Sequence, residues 1–83
     1  MTLPEIIGKR VSEARQAKRL SQEALAELIE KAIPTISNIE RGKVYTSLDT
    51  LEKIAKGLGK PVSYFFEDVE AVGRMKPARY SLE

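Results

Sequence analysis

The chain has 83 residues, of which 42% are hydrophobic and 31% charged, and its formal net charge is +2. This balance is typical of one small folded domain rather than of a disordered chain. The absence of cysteine and histidine excludes disulfides and thiolate metal sites and removes the commonest general base. No apolar run is long enough to span a membrane, and the N-terminus lacks a signal-peptide hydrophobic region. We therefore expect a cytoplasmic protein that uses no cofactor and no metal.

The distribution of charge is more informative than its sum. Basic residues outnumber acidic ones in residues 1–43 and in residues 71–83, whereas the segment between them is acidic. A weakly basic chain binds nucleic acid when its basic groups share one face, and ordinary solubility charge is the alternative interpretation.

The first helix begins with a capping-box signal, in which Thr2 caps, Pro4 fits the first turn and Glu5 completes the box. Apolar residues at helical spacing predict that this helix runs to about Lys18. Its expected buried stripe consists of Leu3, Ile7, Val11 and Ala14.

A second and a third helix follow after short joints. Ser21 is a natural N-cap for the second helix, and Pro34 is tolerated in the first turn of the third because first-turn amides lack helical partners. Gly42 is expected to end the third helix in a left-handed conformation. The residues expected to face inward are Leu25, Ala26, Ile29, Ile36 and Ile39.

The fourth helix is delimited by Ser47 as its N-cap and by Gly59 and Pro61 as its stop. Its expected buried stripe consists of Leu48, Leu51, Ile54, Ala55 and Leu58. Residues 61–66 are predicted to form a short fifth helix. Residues 67–83 are predicted to form an extended or mobile C-terminal tail, which is also a candidate segment for binding a protein partner.

Two short helices joined by a tight turn form the unit that reads DNA, and residues 22–41 fit this pattern. A helix fits the major groove of DNA, and its N-terminal residues reach the base edges. The outward residues of the third helix are therefore candidate base contacts, although a polar residue there can also be merely solvated. They are Ile33, Pro34, Ser37 and Asn38.

Several short motifs follow one another in a characteristic order. They are the Ile7-Gly8-Lys9-Arg10 opening, Arg15, the segments LSQEALAELI and TISNIERG, and the run from Leu51 to Ala55. In this respect the chain resembles the Cro/phage-repressor (xenobiotic-response-element type) helix-turn-helix family from about Ile7 to Phe66. The resemblance implies an all-α, compact five-helix repressor-like DNA-binding domain over residues 1–66.

The resemblance also suggests roles by position. Gln22 matches a residue that grips a DNA phosphate and buttresses the third helix, and Arg41 and Lys43 match backbone-contacting positions. Arg15 and Glu40 match a salt bridge that fixes helix orientation rather than supplying much stability.

Two further assignments complete the expected site. Arg10 is assigned to a DNA phosphate, with a carboxylate partner as the equally weighted alternative. The aromatic end of the domain is expected to divide between the core and a homodimer interface, because the core of so small a chain is marginal. The residues of this expected interface are Val62, Tyr64, Phe65 and Phe66.

The chain departs from the family pattern at three positions near the third helix. Glu30 stands where the turn often has glycine, Ala32 replaces the usual Ser or Thr cap, and Pro34 takes a flexible side chain from the base-facing surface. Only Ser37 and Asn38 there can hydrogen-bond a base through a side chain, so recognition of DNA shape is an alternative to base contacts.

We expect a sequence-specific, nucleoid-associated regulator of transcription that acts as a repressor. It is expected to bind double-stranded DNA as a homodimer on a palindromic operator. The alternative is a protein-interaction module, such as an antitoxin or adaptor, on the same fold. An enzyme is not expected, because the sequence has no carboxylate pair with a nucleophile, no Gly-rich phosphate loop and no metal-ligand cluster.

Overall fold

The computed structural model describes residues 1–67, which are helical and contain no strand. Four α-helices are followed by a 3₁₀ helix, and their bounds are α1 Leu3–Ala17, α2 Gln22–Leu28, α3 Ile33–Glu40, α4 Leu48–Leu58 and the 3₁₀ helix Val62–Phe66. The all-α class is therefore confirmed. The fifth element differs from the predicted α-helix, because so short a segment after Pro61 closes into the tighter 3₁₀ form. The tail predicted from residue 67 lies, apart from Glu67, outside the described residues.

The helix starts follow their capping signals. Thr2 Oγ1 accepts a hydrogen bond from the Glu5 amide, while Glu5 Oε1 accepts one from the Thr2 amide at 2.8 Å. The bond from the Thr2 backbone lowers the pKa of the Glu5 carboxyl. Ser21 and Ser47 cap α2 and α4 through their hydroxyls. Ala32 precedes α3 without any side-chain cap.

Each α-helix is followed within two residues by a residue in the left-handed region of φ/ψ space. Glycine occupies this place after α3 and α4, as expected, with φ of 70° at Gly42 and 68° at Gly59. The corresponding residues after α1 and α2 are Arg19 and Glu30, both with φ of 59°. Because a side chain crowds the carbonyl oxygen in this conformation, these two ends carry strain that glycine avoids.

One core is formed by apolar side chains from all four α-helices and the 3₁₀ helix. It includes every residue expected to face inward on α2 and α3. Ile6 is also buried, because α1 packs against both α3 and the 3₁₀ helix and so covers more than one stripe. Among residues 1–67, no helix is long and apolar enough to cross a membrane.

Leu48 corrects the buried stripe expected for α4. It is 76% exposed, whereas the other four residues of that stripe are buried. At about 100° per residue, Leu48 lies at the edge of the face that the buried residues define. It is also the first residue of α4, where the neighbouring elements do not cover it. An apolar side chain that the spacing assigned to the core therefore lies on the surface.

Gly8 allows α1 to lie directly against the C-terminal end of α3. A Cβ atom at this position would overlap the carbonyl oxygens of Ile39 and Glu40. Arg15 lies two turns further along the same face of α1. The close approach at Gly8 therefore brings Arg15 opposite Glu40 and sets the position of α3.

Candidate nucleic-acid interface

α2 and α3 form a helix-turn-helix pair whose turn is closed by backbone hydrogen bonds. The amide of Lys31 donates to the carbonyl of Ala26 at 2.9 Å, and the amide of Glu30 donates to that of Glu27 at 3.2 Å. This closure requires the positive φ of Glu30. The pair is held on its inner side by Leu25, Ala26, Ile29, Ile36 and Ile39, all buried. The opposite side of α3 is thereby left on the surface.

The four candidate base-contacting residues all reach this surface. Ile33 and Pro34 are exposed in the first turn of α3, and Ser37 and Asn38 are half-buried one turn later. The hydroxyl of Ser37 accepts a hydrogen bond of 3.4 Å from Arg41 Nη1. The outward surface of α3 is therefore apolar at its N-terminal end and polar towards its C-terminal end.

Arg15 and Glu40 join α1 to the last turn of α3. Arg15 Nε donates to Glu40 Oε2 at 2.7 Å, and Nη2 donates to Oε1 at 3.1 Å. Arg15 Nη1 also donates to the carbonyl of Leu20 at 2.7 Å. The two side chains are only 13% and 6% exposed. A two-bonded pair of this kind restricts the relative orientation of its helices as well as neutralising both charges.

Gln22 belongs to the same network. Its Nε2 donates to Glu40 Oε1 at 3.0 Å, so α1, α2 and α3 all meet at one carboxylate. The buttressing role implied by the resemblance is thus visible in the contact itself. The phosphate contact expected of Gln22 stays a prediction.

Arg41 and Lys43 lie at the C-terminal end of α3, and both side chains are exposed. The amide of Lys43 donates to the carbonyl of Asn38 at 3.0 Å, and that of Gly42 donates to Ile39 at 3.0 Å. These two bonds fix the direction in which the chain leaves the helix. The structure therefore brings two accessible cations next to the outward surface of α3.

Arg10 does not share the surface of α3. Residues two apart on a helix do not share a face, and Gly8 is the one that contacts α3. The Arg10 guanidinium lies 5.1 Å from the ring centroid of Tyr64 and 3.5 Å from Glu67 Oε1. The carboxylate alternative and a cation–π contact are therefore both formed in the structure. The contact of Arg10 with a DNA phosphate stays a prediction.

The aromatic end of the domain divides between core and surface. Phe65 is completely buried within the single chain, so it has no area left to lose at an interface, and its assignment there is corrected. Val62, Tyr64 and Phe66 are half-buried and pack against the core. Their part in an interface stays a prediction.

Exposed apolar residues that sequence reasoning missed lie near this end. One of them, Leu48, lines a shallow surface depression with Asp49, Glu52 and the half-buried Val62, which the sequence had already assigned to an interface. Val44 and Tyr45 are exposed in the loop before α4, Tyr45 at 80%. The apolar residues Val44, Tyr45 and Leu48 lie close together in the sequence around Ser47, and this clustering could have indicated an exposed apolar surface. Helical spacing instead assigned Leu48 to the core.

Comparison with known proteins agrees with this arrangement. The helix-turn-helix model HTH_3 matches residues 11–65. The chain is 44% identical over 63 residues to the HTH-type transcriptional regulator PuuR of Escherichia coli (strain K12), covering 76% of this chain and 34% of PuuR. It is 42% identical over 64 residues to an uncharacterized transcriptional regulator in the ATPase CF(0) region of Rhodospirillum rubrum, covering 77% and 59%. The chain thus spans between a third and three fifths of the length of these two relatives.

Among solved structures, the chain is similar to the restriction-modification controller protein C.AhdI from Aeromonas hydrophila. The TM-score is 0.73 and the sequence identity 35%, covering 76% of this chain and 96% of C.AhdI. The matching model covers more than half of the chain and includes α2 and α3 complete. The chain therefore belongs to the HTH_3 family of helix-turn-helix DNA-binding transcriptional regulators, the Cro/C1-type, XRE-like class.

Proposed function

We propose that this protein represses transcription by binding a palindromic operator as a homodimer. The observation that carries the proposal is the outward surface of α3, which is accessible while its opposite side is fixed in the core. A recognition helix must be held rigidly, because specificity depends on placing side chains accurately against base edges. The contacts of Arg15 and Gln22 with Glu40 supply that rigidity.

Affinity in this proposal comes from phosphate contacts. Arg41 and Lys43 are exposed beside the outward surface of α3, where cations meet the DNA backbone on either side of the groove. Gln22 stands at the first position of α2, with its amide directed to Glu40. In the proposed complex, Gln22 contacts a DNA phosphate while its side-chain amide keeps its hydrogen bond to the Glu40 carboxylate. Operator occupancy alone blocks transcription, so no catalytic step is involved.

The homodimer is supported by the apolar surface at the end of the domain. Leu48 exposes three quarters of its area beside the half-buried Val62. We place the two-fold interface over both residues. A dimer that reads two half-sites on one side of the DNA holds its two recognition helices in successive major grooves, roughly 34 Å apart. Such a dimer requires a palindromic operator. A chromosomal target also requires the protein to act in the cytoplasm, at the nucleoid.

The second candidate function is that of an interaction module such as an antitoxin or adaptor. It is favoured by one observation, the exposure of Ile33 and Pro34 at the start of α3. Two adjacent exposed apolar residues are as suited to a protein surface as to DNA. The response to salt separates the two functions, because phosphate binding releases counterions and apolar protein contacts do not.

The experiment is selection of bound sequences from a random duplex pool, followed by binding isotherms over a range of salt concentrations. With about three ionic contacts per protomer, of which Arg41 and Lys43 are two, log K against log[salt] should have a slope of about −5 for the dimer. Lys43→Ala should make this slope shallower by about two units. The matched control is Lys56→Ala, an exposed lysine on α4 that lines a different surface with Leu28. No enrichment, or a slope near zero, would contradict the proposal.

A further inference from the structure

The first turn of α3 presents a continuous apolar surface to solvent. Ala32, Ile33 and Pro34 are consecutive and exposed, with Ile33 exposing 44% of its area. Ala32 makes no side-chain hydrogen bond to the helix start, and proline carries no backbone amide. These three residues, named here the tip of α3, therefore offer a partner no side-chain donor or acceptor.

The polar residues of the same surface lie one turn further along. Ser37 and Asn38 are half-buried, and the Ser37 hydroxyl is engaged by Arg41. In a helix seated in the major groove, the N-terminal residues contact the base edges. On this helix, apolar groups therefore lie at the N-terminal end, which comes nearest to the bases, and the hydrogen-bonding groups lie one turn further from that end.

The edges of base pairs in the major groove carry donors, acceptors and one apolar group, the C5-methyl group of thymine. We propose that the tip of α3 binds pyrimidine C5-methyl groups, with Ile33 as the residue that contacts the methyl. The proposal rests on the DNA binding proposed above and adds the chemical feature that the tip reads. 5-Methylcytosine carries the same group, so this contact distinguishes thymine from uracil and methylated from unmethylated cytosine.

The expected effect follows from the burial of one methyl group against Ile33. Removing a methyl-sized group from water is worth about fourfold in affinity. A dimer that reads one such group in each half-site gains roughly 15-fold. Replacing thymine by uracil removes only the methyl group and leaves every hydrogen-bonding group of the base in place.

The test uses the full chain and a duplex recovered by selection from a random pool. The duplex is resynthesised with deoxyuridine in place of thymidine at one position of both half-sites at a time, and Kd is measured by fluorescence anisotropy. We expect one position at which deoxyuridine weakens binding roughly 15-fold. At that position, 5-methylcytosine should also bind more tightly than cytosine.

Protein variants assign this difference to the tip. Ile33→Ala should bind the thymidine and deoxyuridine duplexes with equal affinity, because the contacting side chain is gone. Ser37→Ala is the matched control one turn away, and it should keep the difference whatever its overall affinity. Both side chains lie outside the buried core, and circular dichroism checks that both variants are helical. Selection from pools with and without C5-methylated cytosine shows whether thymine or methylcytosine supplies the group.

Three other outcomes would each contradict either the reading of methyl groups alone or the proposed function as well. Equal affinity for thymidine and deoxyuridine duplexes at every position, with specific binding retained, would overturn methyl reading and leave the proposed function standing. A difference that persists in Ile33→Ala would also overturn it, since the methyl group would then act through DNA shape. A chain that enriches no duplex would remove the proposed function together with this inference.

Discussion

Arg15 holds Glu40 by two hydrogen bonds, from Nε to Oε2 at 2.7 Å and from Nη2 to Oε1 at 3.1 Å, and thereby ties α1 to the last turn of α3. The Glu40 carboxylate also accepts from Gln22 at 3.0 Å. One acidic group thus joins three helices directly behind the surface proposed to meet DNA. Because the recognition helix has only eight residues, its orientation depends on such tertiary contacts rather than on its own helical stability.

Glu40→Ala should therefore lower the free energy of unfolding by roughly 1–3 kcal/mol, because it leaves the guanidinium of Arg15 and the amide of Gln22 without their shared acceptor. Urea unfolding followed by circular dichroism measures the change. Glu13→Ala removes an equal charge from an exposed position of α1 and should change stability by no more than about 0.5 kcal/mol. Equal effects of the two substitutions would show that the network contributes nothing specific.

The strained turn between α2 and α3 predicts a substitution that raises, rather than lowers, the free energy of unfolding. Glu30 has φ of 59° in the position that closes α2, so Glu30→Gly should raise the free energy of unfolding by about 0.5–1 kcal/mol. Glu27→Gly is the matched control, because Glu27 lies within α2, where glycine costs about 1 kcal/mol. Thermal unfolding of the two variants should move in opposite directions. A loss of stability in Glu30→Gly would argue that its side chain makes a contact worth more than the strain.

Features that depend on neighbouring residues in sequence could be predicted well. Ser21 and Ser47 cap their helices, and Gly42 ends α3 in the left-handed conformation, because capping chemistry operates over three or four residues. The left-handed Arg19 was not anticipated. Arginine carries no conformational signal for that position, and only the direction in which the chain must turn after α1 imposes it.

Features that depend on tertiary neighbours could be predicted only in part. The pairing of Arg15 with Glu40 was expected because the family resemblance links two distant positions. Helical spacing placed Leu48 in the core, but spacing describes a direction and does not say how far the neighbouring elements extend. Arg10 had two equally weighted partners, and the structure shows the Glu67 carboxylate and the Tyr64 ring beside it, a proximity that spacing along the chain does not reveal.

The exposed Leu48 yields a test of association. Leu48→Glu should leave the fold intact, because the side chain is already 76% exposed, but it should place a charge in the proposed dimer interface and shift the protein to monomer. Sedimentation at high micromolar concentration measures the association state. Leu28→Glu is the matched control, since Leu28 is also exposed but lines a different surface with Lys53 and Lys56. If both variants remain dimers, the interface lies elsewhere. A parent chain that is monomeric with and without DNA would contradict the homodimer.

The last prediction distinguishes residues that contact the bases from residues that contact the phosphates. Asn38 is the outward residue of α3 whose side-chain amide offers a donor and an acceptor together, as an adenine edge requires. Its backbone carbonyl accepts the amide of Lys43 at 3.0 Å, so the two residues are held in a fixed relation at the end of the helix. Asn38→Ala should cost about 1–3 kcal/mol on the selected operator and relax the preference at one base pair per half-site.

Lys43→Ala should instead weaken binding to selected and random duplexes by the same factor, because a phosphate contact carries no sequence information. Competition of each variant against a panel of single-base operator variants distinguishes these patterns. If Asn38→Ala lowered affinity equally for the selected and random duplexes, Asn38 would be a phosphate ligand. Specificity would then have to come from Ile33, Ser37 or the shape of the DNA, and the deoxyuridine series measures the contribution of Ile33 directly.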